Sequence, residues 1–332
     1  MLDIPLPLDV FFALSVEKYY KERDDSISRD FITAPEISQM FCHAVAVWLY
    51  NQIINIKEDI SLIEIGGGNG TLMREILQFF SREYTFKNIY FVETSKKMID
   101  RQRRAMSNYE NCYWVDSIDK LPSNLKSIVI ANEFFDALPI KQFVKVEGGF
   151  REIYISKAID LVQSQDIISD IEMKKIFQYS NVDIGSLKSG DILELSTASL
   201  TILDKICQTC HGALIIDYGY YTPTKKNTIK AIVNHTILDS FLVTPGTADI
   251  SAEVDFGSME NFVRINHPNF NLQCTTQDLF LKNNHIDVIS NKARSEAKTE
   301  NEVNMVDHEL NKILIDMGKK FKALSICKKT SY

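Results

Sequence analysis

The chain has 332 residues, of which 45% are hydrophobic, 10% aromatic and 24% charged, with a formal net charge of -7. This exceeds one minimal α/β domain and supplies ample apolar material for a core, so an elaborated single domain or two domains are expected. The acidic balance gives no overall footprint for nucleic acid and suits a basic substrate segment better, and no apolar run approaches the roughly eighteen residues of a membrane span.

Met1-Leu2-Asp3-Ile4-Pro5 carries an acid where a signal or transit peptide needs basic residues. A bacterial cytoplasmic location is expected, or the mitochondrial matrix for a trimmed eukaryotic form. The six cysteines at positions 42, 112, 207, 210, 274 and 327 are scattered, which suits reduced core thiols. Val10 to Tyr20 reads as an apolar helix, followed by a charged polar loop over Lys21 to Asp30. Thr33-Ala34-Pro35-Glu36 has the form of a capping box, with Thr33 capping the helix start and Glu36 reaching back. Behind it Ile37, Met40, Phe41, Ala44, Trp48 and Leu49 recur at helical spacing. Residues 1–59 are therefore expected to form a helical segment packed on the core, its second helix bordering the cofactor site. Residues 60–332 would be the main domain, with insertions near 156–190 and 218–265.

Leu62-Ile63-Glu64-Ile65-Gly66-Gly67-Gly68-Asn69-Gly70-Thr71-Leu72 is an apolar run ending in an acid, then alternate glycines, then a helical pattern. It predicts a strand, a tight turn and a helix start, where an α/β sheet receives a nucleotide-like ligand. Position 71, where a dinucleotide fingerprint wants its third glycine or an alanine, is Thr71. That argues against NAD and for a cofactor with no pyrophosphate to seat on the helix N-terminus. Ile89 to Val92 ends in Glu93, at the spacing of a ribose-binding acid. Cys112 to Val115 ends in Asp116-Ser117, and Ser127 to Ala131 ends in Asn132-Glu133. Four such ends in a βαβ rhythm put Glu64, Gly66, Gly68, Gly70, Glu93, Asp116 and Asn132 along one carboxyl edge of a mostly parallel sheet. The expectation is an S-adenosylmethionine site in a class I, Rossmann-like α/β methyltransferase fold.

Methyl transfer from a sulfonium is an in-line displacement, so a nucleophile must be aligned and its proton managed. A guanidinium acceptor also needs carboxylates to hold it in a bidentate way. In Asn132-Glu133-Phe134-Phe135-Asp136-Ala137-Leu138-Pro139 the candidates are Glu133 and Asp136. Their other readings are a cofactor ligand for Glu133 and a helix cap for Asp136.

Further on, Gln142 to Val146 and Arg151 to Ile155 flank Glu147-Gly148-Gly149, a hairpin signal. Asp160 to Ser189 reads as an inserted helix with loops. Asp191 to Leu195 and Ala213 to Asp217 read as strands separated by one helix, Leu200 to Cys207. The helix closes on Cys207-Gln208-Thr209-Cys210-His211, which has the C-x-x-C-H form of haem attachment. Without an export signal or a second ligand pair, packed thiols with no haem and no metal are expected. Tyr218 to Asn261 reads as a loop-rich insertion over the active face, with Asp217-Tyr218-Gly219-Tyr220 placed to line the same pocket. Pro245 to Phe256 adds Asp249, Glu253 and Asp255, of which Asp255 is the third catalytic candidate; His235 reads as structural. Phe321 to Ile326 is the expected last strand.

Four segments together, Asp30 to Gln39, Glu64 to Leu72, Ala131 to Pro139 and Pro245 to Phe256, resemble the MidA family of S-adenosylmethionine-dependent methyltransferases, linked to mitochondrial complex I assembly. The resemblance runs from Tyr19-Tyr20 to Met317-Gly318. It implies a seven-stranded sheet and symmetric dimethylation of an arginine in a core subunit of complex I (NADH:quinone oxidoreductase), hence a protein partner. The chain departs from the family pattern at Gly67 and Asn69, where Pro and Arg are usual. It departs also at Glu253, often His, and at Lys18 and Arg29, usually glycine. Two rival readings are a nicotinamide oxidoreductase, which Thr71 opposes, and an assembly chaperone with a vestigial cofactor site.

Overall fold

A computed structural model describes residues 5–22, 33–54, 56, 59–123, 125–234 and 236–329. His235, most of the polar loop and the first three residues of the Asp30 to Gln39 motif lie outside these described residues. Contacts divide the chain into two compact units, one of Ile32–Phe134, Asp204–Tyr218 and His267–Tyr332, the other of Met1–Phe31, Phe135–Leu203 and Gly219–Asn266.

The first unit holds the central sheet. Its strands are β1 (Ser61–Ile65), β2 (Ile89–Val92), β3 (Cys112–Val115), β4 (Ser127–Asn132), β5 (Gly212–Tyr220), β6 (Phe270–Thr276) and β7 (Phe321–Lys328), in the order β6-β7-β5-β4-β1-β2-β3. The pairs among β1 to β5 are parallel, and β7 is antiparallel to both its neighbours. The resemblance implies seven strands; these seven form the main path, and Val254–Asp255 adds an eighth by pairing with the end of β5. After β1 the chain adds β2 and β3 on one side, then returns to place β4 on the other. The order therefore reverses between β1 and β4, which opens a crevice at their carboxyl ends.

β1 is buried throughout, as expected of a parallel strand covered on both faces, and carries the acid Glu64 within its otherwise mostly apolar run. The helix Gln39–Ile53 buries Phe41, Val45 and Leu49, and Thr71–Phe80 buries Leu72, Ile76 and Phe80, in one core with Leu62, Ile128 and Ile130. Two local expectations are corrected. The stretch after Thr33 is not one helix: Ala34–Ile37 stops at Ser38, which is extended (φ -148°, ψ 122°) and whose hydroxyl accepts the Met40 N–H at 3.2 Å to cap Gln39–Ile53. Thr33 makes no side-chain cap, and Glu36 does not reach back, because its carboxylate is taken by Thr71 and Asn69. β6 was not foreseen; its Asn271, Gln273 and Thr275 give it the polar composition of a half-exposed edge strand.

In the second unit the expected hairpin is present as Lys141–Val146 and Gly149–Ile155, with Gly148 at φ +83° in the two-residue turn. Ile192–Leu195 joins this hairpin antiparallel, on the far side of Lys141–Val146. Leu6–Pro7 and Leu161–Gln163 pair with Gly149–Ile155. The helix Leu8–Glu22 packs Leu8, Phe11 and Phe12 with Ile153, Ile155, Ala231 and Ile250. The stretch 218–265 contains the strands Lys230–Val233, Thr236–Ile237, Asp249–Ser251 and Val254–Asp255 and the helix Phe256–Asn266. Val254–Asp255 pairs in parallel with Gly219 and Tyr220 at the end of β5. Among the described residues no helix is long and apolar enough to cross a membrane.

Ile130→Ala, at a side chain 1% exposed in β4, is expected to cost about 2–5 kcal/mol in urea unfolding. Leu161→Ala, 46% exposed, should stay within about 0.5 kcal/mol.

Candidate active site

The turn after β1 is set by its glycines. Gly66 (φ +67°) donates its N–H to the Val92 carbonyl at 3.1 Å, and Gly70 (φ +79°) stands at the start of the helix Thr71–Phe80. A Cβ on Gly66 would lie 2.7 Å from the Phe134 ring, whereas one on Gly68 (φ +50°) would meet nothing within 4 Å. Gly66 is thus demanded by protein packing, while Gly68 presents bare backbone to open space. Thr71 turns its hydroxyl to the Glu36 carboxylate at 2.6 Å, and Asn69 reaches the same oxygen at 3.3 Å.

The acids at the strand ends are desolvated. Glu64 is buried; burial first, then the charge of Glu93, pushes its carboxyl up to about 8. Its Oε2 has no hydrogen-bond partner, and at the end of β4 the Oδ1 of Asn132 has none either. Buried polar atoms are normally satisfied, so two orphans on either side of the β1/β4 reversal fit a polar ligand. Glu93 accepts the Thr94 and Ser95 N–H groups on Oε1 at 2.9 and 2.8 Å, and the Gln102 amide on Oε2 at 3.4 Å; burial raises its pKa, against those bonds. Asp116 is exposed beside Lys120 at 2.7 Å.

Glu133 is an uncommon non-glycine residue at positive φ, +52°. Its Oε1 accepts the Ala34 N–H at 2.9 Å and the Asn132 amide at 3.2 Å. Ala34–Ile37 is therefore tied to the end of β4 through Glu133 and to the glycine turn through Glu36.

Asp136 and Asp255 belong to the second unit. There Phe135, Glu194, Tyr220, Glu253 and Asp255 line a cavity together with Ile140 and Met259. Burial pushes Asp255 up to about 6, although it accepts the Ser258 N–H and hydroxyl at 2.9 and 2.6 Å as a cap on Phe256–Asn266. Burial likewise raises Asp136 to about 7, opposed by the N–H groups of Ala137 and Asp136 itself. Glu194 and Gln102 were not singled out from sequence, and Glu36 was read only as a helix-start acid, not as a partner of the glycine turn. Glu194 sits inside an apolar strand run, where a buried acid is the signal to notice. For Gln102 the signal was a polar residue four places after the buried Met98 in an otherwise basic helix. Cys207 and Cys210 are buried thiols at the end of Thr197–Thr209, and burial pushes Cys207 up to about 12.

The family described as "Putative S-adenosyl-L-methionine-dependent methyltransferase" matches residues 44–272. The chain belongs to this family. It is 29% identical over 331 residues to the mitochondrial protein arginine methyltransferase NDUFAF7 homolog of Caenorhabditis elegans, covering 91% of this chain and 76% of the relative. With mitochondrial NDUFAF7 of Danio rerio, also named a protein arginine methyltransferase, it shares 31% over 301 residues, covering 81% and 69%. A crystal structure of a Burkholderia thailandensis protein bound to S-adenosyl-homocysteine matches with a TM-score of 0.79 at 21% identity, covering 98% of this chain and 88% of that one, a likeness of fold. The protein is an S-adenosylmethionine-dependent methyltransferase, and S-adenosylmethionine is its cofactor. The residues present fit that group: Glu64 and Asn132 offer unfilled oxygens, Gly68 an open backbone and Glu93 a carboxylate acceptor.

We propose that the amino-acid portion of the cofactor lies against the turn of Gly66, Gly68 and Gly70, beside Glu64, and that its ribose binds Glu93. Gly68→Val should abolish S-adenosylhomocysteine binding by titration calorimetry while the far-ultraviolet circular dichroism is retained; unchanged affinity in the folded variant would overturn the placement. Glu93→Ala removes two charge-assisted hydrogen bonds and should weaken binding at least about tenfold.

Glu64 also sets a pH dependence. The folded protein keeps a proton on Glu64 up to about pH 8, which the unfolded chain loses near 4.5. The stability of the ligand-free protein must then fall as pH rises through that window. Asp136 and Asp255 act with the same sign but only up to about 7 and about 6. Glu64→Gln should flatten the fall in urea midpoint between pH 7 and 8; an unchanged slope there would show that Glu64 is already ionised.

Proposed function

We propose that this methyltransferase acts on an arginine side chain of a protein. The observation that carries the reading is the match, over 91% of the chain, to a relative named a protein arginine methyltransferase. The acidic net charge of -7 supports a basic acceptor segment. So does the supply of partly buried acids, since a guanidinium is recognised by carboxylates that meet its fork of donors.

The cofactor supplies an electrophilic methyl group on a sulfonium. What the chain must add is a seat for a cation and a base for the proton that leaves the nitrogen. Of the candidates Glu133, Asp136 and Asp255, we assign this part to Asp136 and Asp255, which belong to one unit. Asp136, with its carboxyl near 7, is poised to hold or release a proton at neutral pH, which suits the base. Asp255 lies in the insertion at 218–265 and is already committed to the Ser258 cap, so its part would be electrostatic. The resemblance given above extends the reading to a core subunit of complex I, in the mitochondrial matrix or a bacterial cytoplasm, with two methyl groups added symmetrically.

Asp136→Asn preserves shape and removes charge. Transfer to a protein substrate should fall by roughly a hundredfold, while S-adenosylhomocysteine binds as before, the pattern of an interaction made mainly in the transition state. The acceptor itself is tested by mass spectrometry of complex I subunits from cells with and without this protein. Loss of methylation at one arginine is expected; retention of every methylated arginine in the deletion would mean a different acceptor.

A further inference from the structure

We propose that Gln102 is a positioning residue of the cofactor bed, its single buried carboxamide holding the open glycine turn and the ribose acid in fixed relation to each other. The inference rests on the assignment of Glu93 to the ribose.

Gln102 lies on the helix Lys96–Ala105 and is fully buried, although five of the ten residues of that helix are Lys or Arg. Its Nε2 donates to the Gly68 carbonyl at 3.0 Å and to Oε2 of Glu93 at 3.4 Å, and its Oε1 accepts the Trp114 indole N–H at 3.0 Å. An indole N–H can only donate and a carbonyl can only accept, so the amide has one permitted orientation. Trp114 is itself fixed, stacked on Phe91 at 5.3 Å and 6°. Elements from β1, β2 and β3 thus converge on one side chain.

The chemistry of an amide suits this place. Binding the Gly68 carbonyl fixes the peptide plane at the one turn position whose Cα faces open space. At Glu93, Thr94 and Ser95 already occupy Oε1, so the contact from Gln102 orients Oε2. A lysine or arginine there would neutralise the carboxylate and compete with a hydroxyl ligand; a neutral donor orients the group and leaves its charge available. Glu64 is the other titratable group acting on Glu93's surroundings, and among the described residues its carboxyl is governed by burial and by the charge of Glu93.

The test is a double-variant cycle on the full chain, read by calorimetric binding of S-adenosylhomocysteine and of adenosine, which has the ribose but lacks the amino-acid portion. Gln102→Met keeps the volume and loses every hydrogen bond. It should weaken S-adenosylhomocysteine about tenfold, and it should weaken adenosine in the wild-type background but not in Glu93→Ala. A Gln102→Met affinity within twofold of wild type, or equal losses of adenosine binding in both backgrounds, would overturn the inference while leaving Glu93 on the ribose. If Glu93→Ala alone leaves both ligands unaffected, the ribose assignment fails and the inference falls with it. Should Gln102→Met not fold, Trp114→Phe keeps a ring on Phe91 and removes only the N–H that orients the amide. It should then weaken S-adenosylhomocysteine about threefold through the same cycle, and no weakening would count against the proposal.

Discussion

The reversal of strand order between β1 and β4 is the constraint from which the rest of the first unit follows. Because successive crossovers leave β1 in opposite directions, nothing of the sheet covers the carboxyl ends of these two strands, and their last residues face a crevice. The chain must then leave β1 within a very short turn, or the helix Thr71–Phe80 could not return along the sheet. The packing of Phe134 against Gly66 shows how little room that turn has. Glu64 and Asn132, at the two lips of the crevice, each keep a buried oxygen with no hydrogen-bond partner.

A second property, seen in each of the two units, is an acid whose carboxyl is raised by burial. Glu64, Glu93, Asp136, Asp255 and Glu194 all have carboxyls raised by desolvation. Such groups lower stability whenever they ionise, and a folded protein retains them where a ligand or substrate repays the cost. Glu194 shows the contrast: three donors from Gln142 and Thr228 saturate it, so its burial is largely accounted for inside the protein. Glu64 has no such saturation.

Much of the first unit was legible in sequence because parallel strands buried on both faces are largely apolar runs, and β2, β3 and β4 give way at their carboxyl ends to Glu93, Asp116 and Asn132. β6 escaped because a half-exposed edge strand carries alternate polar residues that read as loop. Glu36 was legible as a helix-start acid, but its partner Thr71 lies 35 residues away, and no local pattern records that choice. The left-handed backbone of Glu133 is invisible for the same reason, since a glutamate does not announce a conformation that tertiary bonds impose. Gln102 carried only a faint mark, its spacing from Met98. The cap from Asp255 to Ser258 was readable as Asp-x-x-Ser before a helix, yet an acidic loop offered the more tempting interpretation.

The four-residue helix Ala34–Ile37 is far too short to persist by its own hydrogen bonds, because helix nucleation costs more than one turn returns. Its first N–H is bound by Glu133 and its carboxylate by Thr71, so its conformation is borrowed from two places that come together only when β1 and β4 are paired. Solvent exchange of the Ala34 amide proton is therefore a local clock for assembly of the crevice. That proton is protected only while the end of β4 and this segment are both in place, and it exchanges whenever either lets go.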